Sequence, residues 1–426
     1  MTPPTTRLAV DGGEPVRTRA FPPRRVFGPE ERSAVDAFFA RVIDTGDDFR
    51  YGGDAQRAYE AEFARYHGGG HALLVSSGTA ALYVALGALD PRRPGEVVVP
   101  AITDAGGVMP VPLLGLVPVV ADTEPGSFNV GAPQIERRLS EWTRAIVVTH
   151  VGGEPVDMAP VLALARRHGL PVVEDCSQAH GAEYRGRPVG TFGDVAVYST
   201  MTNKHHSTGG QGGVVHTRDP ALYERIRRFS DRGKAAGADA IHNVQAALNF
   251  NGNDLAAVIG RVQLAKLPGV LTARRDLVTR LREGLRDLDA TGVPPVGAGC
   301  RPAYWFVRIR LDLARMGVSM TEYLRALRAE GIPCGVWADI PAAEPWYERQ
   351  VRAAEPGAWP LGAADRPRRP AGRASWPNAE EAAGRHVTLF VHERWTSREI
   401  DDACAALTKL ERAFLARPGS PRGPRR

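Results

Sequence analysis

The chain has 426 residues, 43% of them hydrophobic and 24% charged, enough to bury a large core and to divide into two domains. Its formal net charge of +6 is spread along the sequence rather than gathered in blocks, so it carries no electrostatic footprint for nucleic acid. Cys176, Cys300, Cys334 and Cys404 are scattered with no C-x-x-C pair, and no metal-ligand spacing appears. Reduced thiols, a cytoplasmic location and no metal centre are the expectation.

The N-terminal stretch 1–7 lacks the apolar core of a signal peptide. Short β-branched runs then recur at 72–76, 96–100, 117–121, 145–149, 171–174, 195–198 and 213–216. Runs that are continuously apolar, rather than alternating, indicate a sheet covered on both faces. The most hydrophobic stretch, 97–121, is interrupted by Pro100, Asp104, Pro110, Pro112 and Pro118, which rules out a plain membrane helix there. Between strands, 158–168 reads as an amphipathic helix ending at Gly169. The pattern is βαβ, so the fold class is α/β with a mostly parallel seven-stranded sheet.

After His216 the pattern changes. Residues 219–229 and 254–281 read as helices, the second long enough to join two domains, with Pro268 expected to kink or break it. A strand at 305–311, a helix at 321–329 and a final helix at 397–416 make a small α+β domain. The expected division is 1–265, with the N-terminal segment and the large domain, then 266–416, then a disordered tail at 417–426. Residues 353–377, dense in Pro, Gly, Ala and Arg, read as an irregular loop.

Three segments carry candidate chemistry. Ser76-Ser77-Gly78-Thr79 ends a strand and opens a helix, where free N–H groups bind phosphate and Gly78 allows close approach. Glu174-Asp175 closes a fully apolar strand, at the carboxyl end where parallel sheets bind ligands. Lys204 follows the 195–198 strand and Ser199, and precedes the glycine-rich turn Gly209–Gly213. Together they suit pyridoxal phosphate, which needs an amine for its aldehyde, a carboxylate for its ring nitrogen and a cradle of small residues for its phosphate. Gln178 could donate to the cofactor's ring oxygen. Each segment alone has a plainer reading: a helix cap, a strand-end acid, a glycine hairpin.

The ordered set S-S-G-T-A-A-L (from Ser76), H-x-x-G-x-x-x-D-M (from His150), E-D-x-x-Q-A-H-G-A (from Glu174), G-R-x-V-G-T-F-G-D (from Gly186) and S-x-x-x-x-K (Ser199 to Lys204) resembles the DegT/DnrJ/EryC1/StrS aminotransferases. These are fold-type I pyridoxal phosphate enzymes that aminate keto-sugars and keto-cyclitols, usually with glutamate or glutamine as donor, and pass through a pyridoxamine phosphate form. The resemblance runs from about Leu8 to the last helix. It implies that Lys204 is the Schiff-base lysine, which also moves the donor's α-proton, and that Asp175 pairs with the pyridinium nitrogen. It further implies that Gln178 contacts the ring hydroxyl, and that Gly78, Thr79 and Ser199 hold the phosphate. Asn249 corresponds to a residue that reaches the phosphate of the neighbouring subunit, which implies a homodimer with shared sites.

The chain departs from the family pattern at three places. Asp104 stands where an aromatic usually stacks on the pyridine ring, and is held as a cofactor or substrate contact. The turn Gly209-Gly-Gln-Gly-Gly213 is one residue longer than usual and lacks the acid, and Asn251 replaces the usual Arg. These mark an outlying subgroup. His150, His180, His205, His206 and Arg232 are candidate substrate-side groups. Two alternatives stand beside the aminotransferase: a sugar dehydratase, whose relatives replace the lysine with histidine, and a non-catalytic cofactor-binding regulator.

Overall fold

In the computed structural model, which describes residues 7–90, 94–235, 242–352 and 375–417, all seven β-branched runs pair into one sheet. In chain order the main elements begin with α1 (Pro29–Thr45), α2 (Asp54–Tyr66), β1 (His71–Val75), α3 (Gly78–Ala88), β2 (Glu96–Pro100), β3 (Val117–Ala121) and β4 (Thr143–Thr149). There follow α4 (Met158–His168), β5 (Val172–Asp175), β6 (Val195–Ser199), β7 (Gly213–Thr217), α5 (Pro220–Ser230) and α6 (Asp254–Gly284). The sheet order is β1-β7-β6-β5-β4-β2-β3. Pairs β3/β2/β4/β5/β6 are parallel, and β7 runs antiparallel to both β6 and β1.

Both faces of this sheet are dry, as the unbroken apolar runs require. Val97, Val99, Ala145 and Val147 point into one core with α3, while Val98, Ile146 and Val148 point into the other with α2 and α4. Parallel pairing places the carboxyl ends of β4, β5 and β6 side by side, with Thr149 opposite Asp175 in the register.

A second, antiparallel sheet is built from β8 (Thr291–Gly292), β9 (Val307–Leu311) and β10 (His386–Leu389). With α7 (Met320–Ala329), α9 (Ser397–Leu415) and the end of α6, it encloses a third core. Preceding β10 is α8 (Pro377–Arg385).

Three expectations change. Helix α6 continues through Pro268, because Leu264, Leu267 and Leu271 on one side of it are buried and packing outweighs a proline's cost of about 3 kcal/mol. Length and composition would let α6 cross a bilayer, but its apolar face is taken up by two protein cores. The N-terminal segment belongs with the third core rather than the large sheet: Leu8 is buried there, and Ala9 N and Val16 N donate to Glu330. The irregular loop was expected to reach residue 377, yet Trp376 is buried against the first core and Pro377 opens α8; the rest of that loop, 353–374, and the tail beyond Arg417 lie outside the described residues.

Candidate active site

Glu174 and Asp175 are neighbours on β5, so their side chains leave opposite faces of the sheet and do different work. Both carboxylate oxygens of Glu174 are used inside the protein. They accept from the backbone N–H groups of Gly190, Phe192 and Gly193 at 2.8, 2.7 and 2.7 Å, and lie 3.2 Å from His150 Nε2. Because His150 Nδ1 accepts from Val156 N, the ring proton sits on Nε2 and is donated to Glu174. Burial alone would raise the Glu174 carboxyl, but His150 and these backbone donors outweigh it and hold it below the usual value. Cys176 lies within the same 4.8 Å group, its thiol pushed well above the usual range by burial. Glu174→Ala orphans one buried N–H group, of Gly190, and two partly buried ones, of Phe192 and Gly193, and a urea melt should show a loss of about 3 kcal/mol; a loss under about 1 kcal/mol would refute this account of Glu174.

Asp175 faces the other way, into the space beside Lys204. It is buried, and its Oδ1 accepts from Ser177 N at 3.0 Å. Burial raises its pKa, Ser177's hydrogen bonds and Lys204 pull it back, and Asp104 adds to the push.

Lys204 comes after β6 in a chain of turns. Its side chain is buried, and its Nζ lies 3.9 Å from the centre of the Trp305 ring, with no hydrogen bond or ion pair among the described residues. Burial drives its pKa from 10.5 to about 8, against the opposing pull of Asp175 and Asp104. The result is a buried amine that gives up its proton far more readily than a free lysine and is partly neutral near physiological pH, which a nucleophile and proton carrier needs.

The other expected cofactor residues gather around the same space. Ser77 caps α3 by accepting from Ala80 N at 3.0 Å, while the N–H groups of Gly78 and Thr79 meet no acceptor among the described residues. A Cβ on Gly78 would lie 2.6 Å from Ser199 Cβ, so the helix start and the end of β6 touch only because residue 78 is glycine. Similarly, a Cβ on Gly106 would lie 2.4 Å from Thr79 Oγ1, and one on Gly107 would lie 3.5 Å from Asp175 Oδ2. The Ala105–Gly107 turn therefore runs from Thr79 to Asp175. Asp104 caps that turn, its Oδ1 accepting from Gly106 N at 2.8 Å, and is itself exposed. Gln178 is buried with its Oε1 taking Gly152 N at 2.7 Å, which leaves its NH₂ end as the available donor.

Asn249 is not among this group. It is exposed, and its Oδ1 accepts from Asn251 N and Nδ2 at 3.1 and 2.9 Å. The four histidines offered as substrate-side groups are core residues, each at most 1% exposed. His150 serves Glu174, His180 Nε2 meets Ser199 O, His205 Nε2 meets Ala303 O, and His206 Nε2 meets Tyr59 OH and Gly260 O. Burial pushes His180 and His205 well below the usual histidine range, and His206 down to about 4. Arg232 is exposed and held by Asp231 and Tyr51. Sequence reasoning missed Trp305, Arg24, which donates to Lys204 O at 2.7 Å, Asp339, whose backbone carbonyl accepts from Thr103 N at 3.1 Å, and the Gly106-Gly107 pair. Only the adjacent glycines after Asp104 could have signalled a close approach.

The chain is similar to known proteins along most of its length. It is 34% identical over 427 residues to L-glutamine:2-deoxy-scyllo-inosose aminotransferase of Streptomyces fradiae, a match covering 95% of this chain and 97% of that protein. It is 34% identical over 254 residues to GDP-perosamine synthase of Vibrio cholerae, covering 60% and 68%. The crystal structure of S. venezuelae DesV in complex with a ketimine intermediate superposes with a TM-score of 0.77 at 29% identity, covering 91% and 96%. Residues 33–408 match the family profile, and the chain belongs to the DegT/DnrJ/EryC1/StrS aminotransferase family.

Proposed function

We propose that this aminotransferase uses pyridoxal phosphate to carry nitrogen from glutamine or glutamate to a ketone on a cyclitol or sugar. The observation that carries the reading is the buried, unpaired Lys204 amine beside the buried Asp175 carboxylate, with the open start of α3 next to them. These residues fit the cofactor. Gly78, Thr79 and Ser199 would hold its phosphate, Asp175 its ring nitrogen, and the Gln178 NH₂ end its ring oxygen.

Bound here, the cofactor would supply an aldehyde that accepts an amine and a ring that stores the electrons released when a Cα–H bond breaks. The chain does the rest. Lys204, whose neutral form burial makes accessible, would take the proton from the donor's Cα and return it on the far side of the transfer. Asp175 would keep a positive charge on the ring nitrogen by pairing with it. The Trp305 ring keeps water from the amine.

A cyclitol ketone is favoured, because the Streptomyces fradiae relative matches along nearly its whole length. The test is incubation with L-glutamine and either 2-deoxy-scyllo-inosose or a nucleotide-linked keto-sugar, with the amine product followed by mass spectrometry. Amination of neither ketone, with glutamine or glutamate, would sink the substrate assignment.

We also read the chain as a cytosolic homodimer. Its four cysteines are free thiols, which suits a reducing compartment. Val244 and Leu248, beside Asn249, expose 56% and 58% of their surface, which a second copy would cover.

A further inference from the structure

Glu393, between β10 and α9, joins two arginines from distant parts of the chain. Its Oε1 accepts from Arg24 Nε at 2.8 Å, and its Oε2 from Arg274 Nε at 3.0 Å with Arg274 Nη2 at 2.9 Å. Neither arginine stops there. Arg24 Nη1 donates to Lys204 O at 2.7 Å and Nη2 reaches His205 O at 3.5 Å. Arg274 Nη1 donates to Tyr304 O at 2.7 Å and reaches Trp305 O at 3.4 Å.

The two arms thus end on the two segments that face each other across the amine. Those segments also touch directly, since Trp305 Nε1 donates to Asn203 O at 3.0 Å and the Trp305 ring covers Lys204 Nζ. Each segment contains a non-glycine residue in the left-handed region, Asn203 at φ 69° and Tyr304 at φ 53°. Such backbone persists only where neighbouring contacts over-determine it. The arginine forks grip the carbonyls next to both strained residues, with fixed direction as well as attraction. Stability is not what a buried ion cluster does best, because desolvation offsets most of its Coulomb gain.

We propose that Glu393 is a positioning residue for the catalytic amine: through Arg24 and Arg274 it holds the Lys204 segment and the Trp305 segment in register, so that the indole stays over Nζ. The proposal rests on the reading of Lys204 as the cofactor-binding lysine. Glu393, Arg24 and Arg274 touch no reacting atom. The charged groups that act on Lys204 are Asp175 and Asp104, and His180 lies near it. His205 and His392 stand beside the arginines. Burial pushes His205 well below the usual range and His392 to about 4, so both are neutral in the window of the test.

The test labels the Lys204 amine of the cofactor-stripped, full-length protein with acetic anhydride across a pH series, reading the Lys204 peptide by mass spectrometry. In the wild type the labelling midpoint should fall at about 8. Glu393→Gln keeps the shape and removes the charge, and should move the midpoint up by about one pH unit as water reaches the amine. Trp305→Phe keeps a ring but deletes the Nε1–H bond, and should shift it the same way with Glu393 intact. A folded Glu393→Gln protein whose midpoint stays within about 0.2 unit of wild type overturns the proposal, even if its melting temperature falls. Should Glu393→Gln fail to fold, Arg24→Gln and Trp305→Phe decide by the same criterion. The visible band of the wild type after addition of pyridoxal phosphate separates the two ideas: its absence refutes the cofactor reading, and the labelling midpoints judge the clamp regardless.

Discussion

Lys204→Met abolishes amino transfer, by at least about 10⁴-fold, and at the same time makes the cofactor-free protein more stable at neutral pH. Both effects come from burial. The amine is nine-tenths buried without a hydrogen bond, and burial is the largest cause of its fall from 10.5 to about 8. In the unfolded chain the same amine stays protonated up to about 10.4. The folded state therefore carries the full cost of a buried ammonium below pH 8, less of it between 8 and 10.5, and none above. Methionine fills similar space without the charge. The stability gap between variant and wild type, on the order of 3 kcal/mol at most, should be widest below pH 8 and should close by pH 10.5. Urea melts at pH 7 and pH 10.5 measure it. A Lys204→Met protein that still turns over, or is less stable than wild type at pH 7, would contradict the assignment.

Asp175→Asn should lower the rate by about 10²- to 10³-fold while leaving the fold nearly as stable. Asparagine keeps the oxygen that accepts from Ser177 N and loses only the charge. The charge is what matters to the chemistry, because a neutral partner cannot hold a proton on a pyridine nitrogen. There is a second readout that needs no turnover. Asp175 is the larger of the two carboxylates that raise the Lys204 pKa, so removing it should move the labelling midpoint of Lys204 below about 8. That shift is opposite in sign to the one expected for Glu393→Gln. An Asp175→Asn protein with wild-type rate and an unmoved Lys204 would mean that Asp175 does not face the reacting groups.

The contrast with Glu174 shows what a sequence reveals and what it hides. The Glu174-Asp175 pair at a strand end marked the place of the chemistry, and strand alternation guarantees that only one of the two faces it. Which one depends on the sheet's sides: the family resemblance implied Asp175, and the three backbone N–H groups on Glu174 give the physical reason. The sheet itself was legible, because continuous β-branched runs have few other places to go. Helix α4 was legible from end to end, with its apolar stripe and its Gly169 stop. Pro268 misled because local propensity is a weak term beside the packing of Leu264, Leu267 and Leu271.

Around Lys204 the sequence was least reliable. His205 and His206 adjoin the lysine in sequence, yet the turns after β6 carry their rings into the core, against Ala303 and Gly260. The groups that do shape the amine's surroundings come from far away: Trp305 lies 102 residues beyond Asn203, to which it bonds, and Arg24 lies 180 residues before Lys204. No local pattern encodes such pairings. Asp104 stands between these cases. The sequence marked it as a departure, and the structure makes it the cap of a turn running from Thr79 to Asp175, its charge felt at Lys204, Asp175 and Asp339.

The most direct test of the central claim is a spectrum of the purified protein titrated with L-glutamine or L-glutamate and then with a keto-cyclitol. The wild type should show a visible band that the donor removes and the ketone restores, and Lys204→Met should not complete this cycle. A wild-type protein that binds no added pyridoxal phosphate, or whose band does not respond to either amino donor, would contradict the account.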